Sequence, residues 1–141
     1  AYSPAGEPVI SYMGYNGVTY DLRVATYAGS SWTIVSVEMG LSGGRNMTSL
    51  AYGPSGRASV AYSTGTSDLK FAKQDALWSW NIMNVDTSAS GQVGKIGVLR
   101  YSAAGYPTIV YLGEDYHTVK FAERGFVAIA DGLLLFMDIV F

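Results

Sequence analysis

The chain has 141 residues, of which 49% are hydrophobic and 14% charged, with eleven Tyr, seventeen Gly and a net charge of −2. That length supports one domain with a real core. The charge argues against nucleic acid as a partner, the lack of Cys excludes disulfides and thiolate chemistry, and His117 as sole imidazole excludes a Cys/His zinc site.

In chain order, Ala1-Tyr2 aligns with Ala51-Tyr52 and marks the end of an inner strand whose start is missing. Ser3–Pro8, with Pro4, Gly6 and Pro8, is a tight hairpin turn. Val9–Tyr12 is the second strand, followed by a loop over 13–20 with Tyr15, Asn16 and Tyr20. Asp21 opens the third strand; its carboxylate either caps the preceding turn or contacts a ligand. Leu22–Tyr27 runs through Ala28-Gly29-Ser30 into Trp32–Glu38, and the Gly-rich Met39–Met47 links to the next unit.

The second unit repeats this plan. Its four runs are 49–52, 59–62, 69–73 and 80–85, each bounded by Gly, Pro, Ser or Asp. Asp68 matches Asp21, and Trp80 matches Trp32; such Trp residues are expected to pack between neighbouring units. The third unit begins regularly at Ile96–Tyr101 and Pro107–Tyr111, then loses the Trp and its spacer after Val119–Arg124. Asp131-Gly132 between two strand-like runs signals a hairpin. Phe126–Ala130 is therefore expected to be the outer strand and Leu133–Phe141 an extra strand that closes a ring. In the alternative, Leu133–Phe141 replaces the outer strand after a long irregular loop.

Three anchors fix the repeat. Gly6, Gly56 and Gly105 recur at offsets of 50 and 49, and Tyr12, Tyr62 and Tyr111 recur at the same offsets. Leu22–Ala25, Leu69–Ala72 and Val119–Ala122 provide the third. A four-strand unit of this period is the mark of a propeller blade. The expected fold is all-β, a β-propeller of four-stranded antiparallel blades. It forms a single domain over 1–141, with blade-like units at about 1–47, 48–95 and 96–132 and a closing strand at 133–141. Propellers have about 4–8 blades, so a three-blade chain is expected to close as a six-bladed homodimer. The tail of one copy would complete the first blade of the other, since an exposed apolar edge invites aggregation. A fragment of a longer propeller is the rival reading.

The loops joining second to third strands hold the candidate ligand residues: Tyr15, Asn16, Tyr20 and Asp21, then Asp68, then Glu114, Asp115, Tyr116 and His117. Aromatic faces beside amides and carboxylates are how sugars are held, with the CH face on the ring and hydroxyls on the polar groups. Glu114, Asp115 and His117 form the one dense ionisable cluster, but adjacent carboxylates diverge on an extended chain and no nucleophile elbow is present. No Asp-x-Asp ladder points to calcium, so neither metal nor cofactor is expected. No apolar run approaches the roughly 20 residues of a membrane span. A start at Ala1 fits removal of a signal peptide or a trimmed chain, and Asn46-Met47-Thr48 fits a glycosylation acceptor; an extracellular setting is expected.

The units GEPVISYMGYNGVTYDLRVATYAGSSWTIVSVE and YGPSGRASVAYSTGTSDLKFAKQDALWSWNIMNVD resemble blades of bacterial repeat propellers, over all but the last nine to fifteen residues. Gly29-Ser30-Ser31-Trp32-Thr33 is similar to the Asp-box of sialidase-like propellers but lacks its Asp. The architecture resembles small oligomeric lectins that build a six-bladed ring from short chains. The Arg, Glu and Trp pattern of fucose lectins is not recognisable in this sequence, so the resemblance implies a fold and a lectin-like role without site residues. A non-enzymatic glycan-binding module is the leading expectation. A structural protein joined through its tail and a glycosidase-like enzyme are the alternatives.

Overall fold

The structure is a computed structural model that describes residues 1–42, 47–65, 68–87, 97–113, 117–123 and the strand at 137–140. Among the described residues eleven strands form three antiparallel sheets, and no helix occurs. The first sheet holds β1 (Val9–Tyr15), β2 (Tyr20–Tyr27) and β3 (Trp32–Leu41). The second holds β4 (Thr48–Tyr52), β5 (Ala58–Ser63), β6 (Asp68–Gln74) and β7 (Trp80–Thr87) in sequential order. The third holds β8 (Gly97–Tyr101), β9 (Pro107–Leu112), β10 (Val119–Glu123) and β11 (Met137–Val140).

The first sheet lacks an inner strand, as the alignment of Ala1-Tyr2 required. What remains is a Tyr2–Pro8 bridge and the Ala1–Val9 backbone bonds. The tail takes the alternative place considered for it. Met137–Val140 pairs antiparallel with β10, Phe121 opposite Ile139, and so forms the outer strand of the third sheet instead of a strand beyond it. Phe126–Ala130 and the Asp131-Gly132 turn lie outside the described residues. The physical reason is the open edge of β10. In the first two sheets a Trp-led strand covers that edge; here the Trp-led run is missing, and the last β-prone run of the chain supplies the backbone partners.

The repeat has a local cause. In each sheet the turn between first and second strands makes the same two bonds: Ser3, Gly53 and Ser102 donate N–H to Glu7, Arg57 and Tyr106, and the turn glycine donates back. Gly6, Gly56 and Gly105 sit at φ +81°, +71° and +84°, where a side chain is strained. The turns also stack. A Cβ on Gly105 would lie 2.8 Å from Pro54 Cγ, and one on Gly56 3.4 Å from Pro4 Cγ. Glycine therefore serves both the turn and the approach of the next sheet.

Two cores fill the two sheet boundaries. Val9, Leu22, Val24, Leu41, Val60, Tyr62 and Ala72 pack between the first and second sheets, with Trp80 against them. Ala61, Leu69, Phe71, Leu99, Ile109, Tyr111 and Ala122 pack between the second and third. Alternation along each strand sends one set of side chains to the preceding sheet and the other to the following one. Trp80 thus packs between sheets as expected. Its counterpart Trp32 is 45% exposed, because its face points away from the second sheet.

Each boundary carries a matching polar clamp. Glu38 on β3 accepts from Lys70 Nζ at 2.6 Å and from the Tyr62 hydroxyl. One sheet on, Asp86 on β7 accepts from Lys120 Nζ at 2.8 Å and from Tyr111 at 3.0 Å. A bulge near the end of β3 and of β7 precedes the carboxylate. Leu22 pairs with Glu38 but Arg23 with Ser36; Leu69 pairs with Asp86 but Lys70 with Asn84. The extra residues, Val37 and Val85, pack against the two cores.

Candidate functional site

The residues expected from sequence divide into several groups. Tyr15 and Tyr20 come together, their ring centroids 4.8 Å apart at the end of β1 away from the turn. Asn16 is spent on its own loop: its carbonyl accepts from the Val18 and Thr19 amides, and its Nδ2 donates to Thr19. Asp21 is buried, 2.9 Å from Arg23, and accepts the Gly40 N–H. The Arg23 hydrogen bond, set against burial, holds its carboxyl below the ordinary carboxylate range. That is a fold-fastening role. Asp68 opens β6, its N–H donating to the Thr64 hydroxyl. His117 is exposed, and Glu114, Asp115 and Tyr116 lie outside the described residues. Among the described residues no group of three potential metal ligands occurs.

A cleft of about 530 Å³ opens elsewhere, where the first two sheets meet beside their turns. The first sheet provides Glu7 from the turn, Val24 and Thr26 from β2, and Thr33 and Val35 from β3. The second provides Tyr52, Ala58, Gln74, Trp78 and Trp80. None of the described candidate ligand residues from the sequence lines it. The mixture is apolar walls with a few polar groups, which is what small-ligand sites use. Burial, then the charge of Glu7, pushes the Tyr52 hydroxyl up, so it stays a proton donor at neutral pH.

Trp78 is the most distinctive residue of the cleft. It is 73% exposed, and its φ is +65°, the one positive value outside glycine among the described residues. A bulky side chain pays for that conformation. The link holds it there: Asp75 Oδ1 accepts the Leu77 and Ser79 amides at 2.8 and 2.9 Å, and the Asp75 N–H donates to the Ser79 carbonyl. Arg57 bonds the Asp75 carbonyl and sets its guanidinium 5.8 Å from the centre of the Trp78 ring. An indole is thereby fixed in the open at the cleft wall. The sequence marks the spot only faintly, through the Asp75 and Ser79 that bracket Trp78.

Neither a protein-family model nor a curated protein matches the sequence. The fold does have a counterpart among solved structures. It resembles a fucose lectin from Kordia zhangzhouensis solved with methyl-fucoside, with a TM-score of 0.58 over 100% of this chain and 96% of that one. Identity is 10%, so the likeness is one of fold.

Proposed function

We propose that this protein is a non-enzymatic binding module that takes a saccharide in the cleft between its first and second sheets. The observation that carries the reading is Trp78, an exposed indole held in a costly backbone conformation beside Glu7, Gln74 and Trp80. Strain of this kind is retained where a function needs the side chain in one place. A sugar would lay its CH face on the indole and give its hydroxyls to Glu7 and Gln74. Glu7 comes from the first sheet and Gln74, Trp78 and Trp80 from the second, with Arg57 behind Trp78. Methyl-fucoside, the ligand of the structural neighbour, is the first to titrate. Shifts in the resonances of Trp78, Trp80 and Glu7 support the reading. Silence there across a neutral-glycan array refutes it.

The proposal includes a ring closed by a second copy. Ile10 on the first sheet is 50% exposed, while its counterpart Val60 is fully buried by the preceding sheet. At the other end Val110 is 42% exposed, while its counterpart Ala61 is buried by the following sheet. Tyr12 and Arg23, opposite each other on β1 and β2, correspond to the clamped pairs Tyr62/Lys70 and Tyr111/Lys120. Yet no preceding sheet offers them a carboxylate, and Arg23 Nε is buried without a partner. The third sheet of a second copy, β11 included, would cover this face. Repeated weak sites on one ring would gain avidity. Sedimentation giving twice the 15.1 kDa of the chain supports closure; a stable single copy at all concentrations opposes it.

A further inference from the structure

The cleft has a repeat of itself one sheet on, with its charge reversed. A second recess of about 630 Å³ lies on the face of the second sheet that looks toward the third. Six of its lining positions are the repeat counterparts of lining positions in the first cleft. Register confirms the match. In the first sheet Val9 pairs with Thr26 and Thr26 with Thr33. In the second, Ser59 pairs with Lys73 and Lys73 with Asn81.

The chemistry at matched positions differs. Glu7 becomes Arg57, Thr26 becomes Lys73, Thr33 becomes Asn81 and Val35 becomes Met83. Asp75 replaces Ala28, but its Oδ1 is occupied by the Leu77 and Ser79 amides. Arg57 uses one guanidinium nitrogen on the Asp75 carbonyl, and no described residue hydrogen-bonds or ion-pairs with the Lys73 ammonium. The first cleft therefore offers one carboxylate, and the second two cations beside the bonded Asp75 carboxylate.

We propose that this recess is a second saccharide site, and that it takes a sugar bearing an anionic substituent, a carboxylate or a sulfate. The inference rests on the saccharide reading of the first cleft and assigns its repeat a different ligand class. Arg57 presents a planar donor fork and Lys73 a mobile point charge, the pair that grips an oxyanion. Asn81, with a donor and an acceptor, meets a ring hydroxyl.

The test is a protein-observed NMR titration with methyl galactoside, its galacturonide and its 6-sulfate, and with methyl-fucoside. The acidic sugars are expected to move the Arg57, Lys73 and Asn81 resonances, and methyl galactoside is not. Lys73→Thr, which installs the first-sheet residue at a half-buried position, is expected to weaken the acidic sugar about tenfold. Raising salt from about 0.05 to 0.5 M is expected to weaken it as well. Whichever acidic sugar responds identifies the anionic group. Equal response to neutral and acidic galactosides, no response to either acid, or unchanged affinity in Lys73→Thr overturns the inference. Methyl-fucoside shifts at Trp78 and Glu7 report the first cleft in the same spectra. Their loss with the acidic response intact fails the parent reading alone; the reverse fails this one alone.

Discussion

Replacing Trp78 with Gly separates a binding role from a structural one. Its φ of +65° costs a non-glycine residue about 1–2 kcal/mol, which Gly does not pay. Against that stand the Arg57 contact, about 0.5–1 kcal/mol at an exposed site, and the greater freedom of Gly in the unfolded chain, about 0.5–1 kcal/mol. With the side chain 73% exposed, little buried area is lost. The balance is close to zero, within about 1 kcal/mol, and the melting midpoint is expected to move by no more than about 4 °C. Saccharide binding in the first cleft is expected to disappear. Calorimetric melting and an NMR titration on the same sample decide the matter. A loss of more than about 2 kcal/mol would show that Trp78 holds the fold. Unchanged stability with unchanged binding would remove it from the site.

Gly6→Ala is expected to cost about 1 kcal/mol from its φ alone, since nothing lies within 4 Å of the new Cβ. Gly105→Ala is expected to cost at least about 2 kcal/mol, because the Cβ also meets Pro54 at 2.8 Å; urea melts giving equal costs would refute the stacking argument. Burial, reinforced by the Glu38 carboxylate, pushes the Tyr62 hydroxyl above its ordinary value. The unfolded chain then releases this proton first. Its contribution is full below about pH 10 and is lost as pH rises further. Tyr62→Phe should flatten that alkaline decline in stability while costing about 1 kcal/mol at neutral pH. Trp80→Ala should destabilise the chain by about 2–4 kcal/mol, since the indole packs against the first core. Trp32→Ala, at the exposed counterpart, should cost under about 1 kcal/mol in a lone chain and lower the self-association measured by sedimentation.

The repeat was legible because each anchor has a local physical cause. Gly6, Gly56 and Gly105 are demanded by the φ of one turn type, and the strands between them alternate as half-buried strands do. The tail was harder. Asp131-Gly132 is a strong local signal, but the unpaired edge of β10 is a long-range demand that spacing does not display. The cleft was harder still. Glu7 and Trp78 belong to different units and become neighbours only when one sheet packs on the next. The acidic and aromatic loop residues drew attention by composition, yet Asn16 and Asp21 satisfy backbone and Arg23 groups. Composition reports which residue types are present; it does not say which of them the backbone has already engaged.

The clamps give every seam a direction. The acid always comes from the outer strand of the earlier sheet, and the phenol and ammonium always from the later one. The first sheet accordingly turns a phenol and a guanidinium outward, Tyr12 and Arg23, and the second copy proposed above would meet it nose to tail. Splicing out one sheet would keep that direction, and on the proposed closure it would alter how many chains it takes to come full circle.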